Sequence, residues 1–240
     1  MVSWRSGNQE FFPRFPLSGG GSVGTVKVGV LGSGDVGRAL GRGFASRGNE
    51  VMIGSRTPKS PGLVAWSKEV GSHGRTGTFA EAAQFGEVLV VAVKGDAAEA
   101  ALELAGPDRF AGKVVIDTTN ALDFSAGMPP GLFTDQKRSL AERIQAKLPK
   151  AKVVKCFNIV PNSLMVDPKA PGGPPDMVIC GDDAGAKLRV TEILRSFGWA
   201  GAIDIGALKE ATWLEAWVPL WVRIAGALQS YNVAMKIVRA

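Results

Sequence analysis

At 240 residues, with 45% hydrophobic and 21% charged side chains, the chain can bury one good core and has the composition of an ordinary soluble protein of one or two domains. Its net charge of +6 suits anionic ligands, yet the basic residues are scattered and no aromatic-basic stripe points to nucleic acid. One histidine (His73) and two cysteines (Cys156, Cys180) supply poorly either metal catalysis or a disulfide framework, and no run of about 18 apolar residues is available to cross a membrane.

Residues 1–24 lack periodicity, carry a glycine run and have no apolar core of a secretory signal, so a disordered extension is expected there, on a cytoplasmic protein with reduced cysteines. Order begins with the β-branched and apolar run Val26, Val28, Val30, Leu31, a buried parallel strand. It leads into Gly32-Ser33-Gly34-Asp35-Val36-Gly37, a G-x-G-x-x-G turn opening a helix. Gly32 allows the sharp turn, Gly34 removes the side chain where backbone must approach a pyrophosphate, and Gly37 lets the helix pack close to the sheet. The helix's first N–H groups then face the anion.

A second strand spans 50–53. Folds that prefer NAD place a carboxylate at the end of that strand, but here the exit carries Ser55, Arg56 and Lys59, while Glu50 stands at its start. A hydroxyl, a planar guanidinium and a point charge suit an adenosine 2′-phosphate, so NADP is expected over NAD.

A helix is predicted over 61–70, a brief strand over 75–79, a helical turn over 79–83, and an almost wholly aliphatic central strand over 87–93. The exit of that strand, with Ala92, Val93 and Lys94, borders the crevice where a dinucleotide crosses the sheet. After a helix over 96–105 and a strand over 113–117, Asn120 stands at the same edge, able to bond a carboxamide or a substrate carbonyl. An irregular loop (123–130), a helix (139–148 with Leu140, Ile144 and Leu148 on one face) and a strand (152–157) lead to Asn158 and Pro161, which are candidate substrate-lining residues. Further along, a strand (176–180), a helix capped by Asp183 (184–197) and a last strand (199–205) are expected. The tail, 209–239, is helical in pattern, with Trp213, Trp217 and Trp221 at steps of four and Pro219 expected to kink or divide it. The tryptophan stripe reads as core or dimer interface, or, through Trp213 and Trp217, as one wall of a flat apolar slot. The fold class is α/β: a Rossmann-type, doubly wound, mainly parallel sheet over 25–206 with a short C-terminal helical extension over 207–240.

The combination VGVLGSGDVGRAL, the GSR ending the second strand, KCFN, ICGDD and DIGAL resembles the NADP oxidoreductase family that includes coenzyme F-420-dependent NADP reductase. It is similar also to the dinucleotide domain of STEAP-type ferric reductases. The resemblance implies NADP(H) as cofactor, with Ser33, Gly34 and Val36 at the pyrophosphate, Ser55, Arg56 and Lys59 at the 2′-phosphate and Val93 beside the nicotinamide. It also implies a small-molecule redox co-substrate, a flavin or deazaflavin such as coenzyme F-420, receiving hydride ring to ring at about 3–3.5 Å with no acid or base required. In agreement, Lys236 follows Tyr231 by five residues, so the Y-x-x-x-K dyad of the short-chain reductases is missing. Two other readings stay open: an NADP-sensing protein without turnover, and an NADPH reductase of small imines or 3-hydroxy acids. An amphipathic tryptophan helix on a domain of this size predicts a homodimer.

Overall fold

The computed structural model describes residues 25–135 and 137–238, so the expected extension over 1–24 lies outside the described residues. The first half is regular: β1 (Lys27–Leu31), α1 (Asp35–Ala45), β2 (Glu50–Gly54), α2 (Pro61–Val70), β3 (Gly74–Gly77), α3 (Phe79–Phe85), β4 (Val88–Val91), α4 (Ala98–Ala105) and β5 (Val114–Asp117). A small hairpin of β6 (Leu122–Asp123) and β7 (Gly131–Leu132) closes the loop that sequence leaves irregular. Then follow α5 (Leu140–Lys147), β8 (Lys152–Lys155), β9 (Val178–Gly181), α6 (Ala184–Ser196), β10 (Ile203–Asp204) and α7 (Ala211–Ala227).

The main sheet has 8 strands in the order β10-β9-β8-β5-β4-β1-β2-β3. From β3 across to β8 all neighbours are parallel; β9 runs antiparallel to β8, and β10 follows β9. The sheet is thus mostly parallel, with helices on its faces, in a Rossmann-like fold. Val28, Val30, Leu89, Val90, Val115, Ile116 and Val154 are wholly buried, as strands covered on both faces must be. Each such side chain stabilises the fold by about 1.5–3 kcal/mol relative to exposure. Leu140, Ile144 and Leu148 form the buried face of α5, and Ser139 closes a capping box with Glu142 at its start.

Three local expectations are corrected. The last strand pairs only at Ile203–Asp204, because Trp199 turns into the core and its indole N–H donates to the Met165 carbonyl (3.0 Å). The helix of the tail ends at Ala227, where Gln229 takes a left-handed backbone (φ +50°), and residues 228–238 continue as a non-helical strap. Pro219 lies inside α7 without dividing it. Since β9 is reversed, the α6 cap faces the amino edge of the parallel strands, where Asp183 accepts from the Ala186 N–H (2.7 Å) and pairs with Lys152 (3.2 Å). That motif belongs to the frame and stands at the edge opposite the crevice.

Candidate functional site

The crevice opens at the carboxyl ends of β1, β2, β4, β5 and β8. At its centre Gly32 leaves β1 with φ +125°, and a Cβ there would stand 2.3 Å from the Ala92 carbonyl oxygen. A Cβ on Gly37 would stand 2.0 Å from the Gly32 carbonyl, so α1 sits directly on the turn. Gly34 differs: nothing lies within 4 Å of the Cβ it lacks. It also caps α1 without a side-chain oxygen. The first amides of α1, at the positive end of its dipole, therefore border an open cradle that any larger side chain at position 34 would fill.

Ser33 links this turn to the next one. Its hydroxyl is 3.3 Å from that of Ser55, which is buried and accepts from the Thr57 N–H (3.1 Å). Beyond Ser55, Arg56 and Lys59 are exposed. The neighbouring carboxylates are already engaged: Glu50 with Arg75 (3.0 Å), Glu69 with Arg42 (2.6 Å) and Asp35 with Arg38 (2.7 Å). Among the described residues neither Arg56 nor Lys59 has an ion-pair partner.

On the other side of the turn, Ala92 is buried, Val93 packs partly on the core and Lys94 projects to solvent. Gly95 admits close backbone approach, since its Cβ would fall 2.0 Å from the Asn120 carbonyl oxygen. Asn120 and Asn158 are interlocked: the Asn120 amide donates to the Asn158 carbonyl (3.1 Å) and the Asn158 amide to Asn120 Oδ1 (3.0 Å) and the Leu214 carbonyl (2.9 Å). The preceding Phe157, fully buried at φ +65°, is held in a backbone region costly for an aromatic residue, as chain segments at functional sites often are. Asn158 Oδ1 is buried without a hydrogen-bond partner.

These segments border an open cavity of about 510 Å³ lined by Asp35, Val36, Asn120, Leu122, residues 158–163, Val218, Trp221, Val222, Tyr231 and Asn232. Of the candidate residues it brings together Asp35, Val36, Asn120, Asn158 and Pro161. Trp213 is 59% exposed and Trp217 packs against the core, both outside the cavity lining; Trp221 and Val218 supply the wall on α7. Another hollow of about 480 Å³, between Glu87, Lys113 and Arg189, lies at the amino edge of the sheet and touches none of these groups.

The protein-family model described as NADP oxidoreductase, coenzyme F420-dependent, matches residues 27–121. The F420-dependent NADP reductase of Methanothermobacter marburgensis is 30% identical over 221 residues, covering 88% of this chain and 98% of that protein. The chain belongs to this NADP oxidoreductase family. A crystal structure from Arthrobacter sp. FB24, named provisionally as an F420-dependent NADP reductase, shares the family's fold with 42% identity and a TM-score of 0.85 over 89% of this chain and 100% of that one. The metalloreductase STEAP3 of Rattus norvegicus is 34% identical over 197 residues, but the matched region spans 36% of STEAP3's length. Among the described residues of this family member no helix is long and apolar enough to cross a membrane.

The largest feature that sequence reasoning missed lies beneath the cavity. Lys155 Nζ, fully buried, donates to Asp117 Oδ2 (2.9 Å), Glu215 Oε1 (3.0 Å) and the Thr119 carbonyl (2.6 Å). Glu215 also accepts the Leu140 and Ala141 N–H groups at the start of α5 (2.9 and 3.1 Å). Burial by itself would lower the Lys155 pKa; the Asp117 and Glu215 carboxylates outweigh it and hold it above the usual lysine range. The network ties α7 to β5, β8 and α5, next to the Asn120–Asn158 pair. The signal in sequence was a charged residue inside two apolar runs, VVKCF and WLEAW, and one ending a third, VVID.

Proposed function

We propose that this chain catalyses direct hydride transfer between NADP(H) and a flat flavin or deazaflavin ring of the coenzyme F-420 kind. The observation that carries this reading is the cavity in which the dinucleotide turn, the Asn120–Asn158 pair and the apolar wall of α7 meet. The chain's own groups fit the cofactor: Gly34 leaves the cradle open for a pyrophosphate, and Asn158 Oδ1 needs a donor such as a carboxamide N–H. Ser55, Arg56 and Lys59 would hold the 2′-phosphate by charge-assisted bonds. Bound NADPH supplies the hydride. Val36, Ile159, Val160, Pro161, Val218 and Val222 give the cavity apolar walls that exclude water and press two ring planes together, which is what direct transfer requires.

The relatives' names support the acceptor class. A homodimer is part of the reading, because Trp213, Leu220 and Ile224 on α7 and Leu228 at its C-terminal cap leave an apolar stripe exposed. The test is binding of NADPH and NADH to the purified chain, followed by addition of coenzyme F-420, FMN or FAD while nicotinamide absorbance is read. Tight NADPH binding with absorbance loss on one acceptor is expected; tight binding with no turnover on any of them would reject the reductase in favour of a sensor.

A further inference from the structure

The strap after α7 reaches the cavity, and no part of the dinucleotide motif accounts for what it brings there. It is fixed along its length: the Trp221 indole N–H donates to the Val233 carbonyl (2.8 Å), Asp176 N–H to the Met235 carbonyl (2.9 Å), and Ile237 N–H to Asp176 Oδ2 (2.7 Å). The strap sets Tyr231, the chain's one tyrosine, beside Trp221 with ring centroids 6.1 Å apart, both rings lining the cavity. Next to them Ser163 donates to Asn232 Oδ1 (2.8 Å), which occupies that carbonyl and leaves the Asn232 NH2 group to donate elsewhere. Asn162, also in the lining, offers an amide donor and acceptor with no partner among the described residues.

The lining contains no lysine or arginine and its one carboxylate, Asp35, is paired with Arg38 (2.7 Å), so selectivity there rests on stacking and neutral hydrogen bonds. We propose that the strap and the loop after β8 form the acceptor subsite. In it Tyr231 stacks on the face of the acceptor's ring and Trp221, its plane tilted 53° to that of Tyr231, meets the ring's edge, while Asn162 and Asn232 bond an imide edge, the carbonyl, N–H, carbonyl sequence of a pyrimidinedione. This rests on the flavin or deazaflavin reading above and names the groups that read such a ring. An imide edge presents acceptor, donor, acceptor; amide side chains are the neutral groups that complement both kinds at once. The ring alone, without a phosphate tail, carries everything this subsite recognises.

The experiment uses the full chain saturated with NADP+ and follows ligand fluorescence on titration with lumiflavin, its 5-deaza analogue and 3-methyllumiflavin, in which a methyl group replaces the imide hydrogen. Wild type should bind lumiflavin or the deaza ring about tenfold more tightly than the methylated ring. Asn162→Ala and Ser163→Ala should cut that preference to below about twofold, while Tyr231→Ala should weaken the methylated and unmethylated rings alike by about tenfold and Tyr231→Phe should restore both. NADP+ affinity, measured separately, should stay the same in every variant. Equal binding of methylated and unmethylated rings by wild type would overturn the imide subsite while leaving the flavin reading standing. Binding of neither lumiflavin nor the deaza ring would overturn both. Loss of NADP+ affinity in Tyr231→Ala would make the strap a structural clamp and overturn the assignment as well.

Discussion

The two walls of the cavity are assembled differently. The proposed cofactor wall begins in the turn 32–37, whose Asp35 and Val36 line the cavity, and continues outside it to the next strand exit, 55–59; close backbone contacts set the turn's geometry and Gly34 keeps a cradle clear. The opposite wall draws Val218, Trp221 and Tyr231 from α7 and the strap; the Asn120–Asn158 pair lies between the two walls, bonded to α7 at the Leu214 carbonyl and neighboured by the Lys155 network. A wall built from local turns can be damaged without loss of fold. One anchored on a buried ionic network is lost with the fold when the network itself is cut.

The sharpest break of that contrast is Glu215→Leu. It leaves Lys155 short of a partner and strands the first amides of α5, so a loss of about 3–5 kcal/mol in urea denaturation is expected. A loss below about 1 kcal/mol would mean the network is incidental. On the cofactor wall, Gly34→Leu places a side chain in open space: the denaturation midpoint should hold while NADPH affinity falls by about a hundredfold. Unfolding of that variant would show that position 34 is packed after all. Arg56→Ala is milder, lowering NADPH affinity about ten- to a hundredfold and leaving NADH unaffected. An equal loss for both cofactors would assign Arg56 to something other than the 2′-phosphate.

How far these walls could be read from sequence follows the same division. The glycine turn, the basic exit of β2 and the span of α2 are local and were legible. The reversal of β9 was not, because the side-chain alternation of a strand is the same in both directions. The tryptophan stripe misled by its period. Steps of four residues advance 400°, about 40° beyond a full turn each, so Trp213 and Trp221 point roughly 80° apart. One is exposed and the other lines the cavity. The strap was lost inside an apolar pattern that continues past the residue at which the backbone reverses, Gln229.

Alkaline pH gives a smaller test of the buried region. The raised Lys155 pKa means its contribution is fully present below the unfolded value of about 10.4 and is lost as pH rises through the higher folded one. Burial pushes the Cys180 thiol up to about 12, and that of Cys156 well above its usual range. Unfolded thiols ionise near 8.5, so stability should fall from about that pH upward, and neither cysteine should react with a thiol reagent at pH 8 until urea is added. Fast labelling of the native protein would contradict the burial.

The division itself is tested most directly by measuring NADPH affinity and acceptor-dependent NADPH oxidation side by side in Gly34→Leu and Trp221→Ala. The expected result is loss of both in Gly34→Leu, and loss of oxidation alone in Trp221→Ala, with NADPH affinity held within about twofold of wild type. Equal loss of NADPH affinity in both variants, or undiminished oxidation in Trp221→Ala, would contradict a cavity with one wall for the cofactor and one for the acceptor.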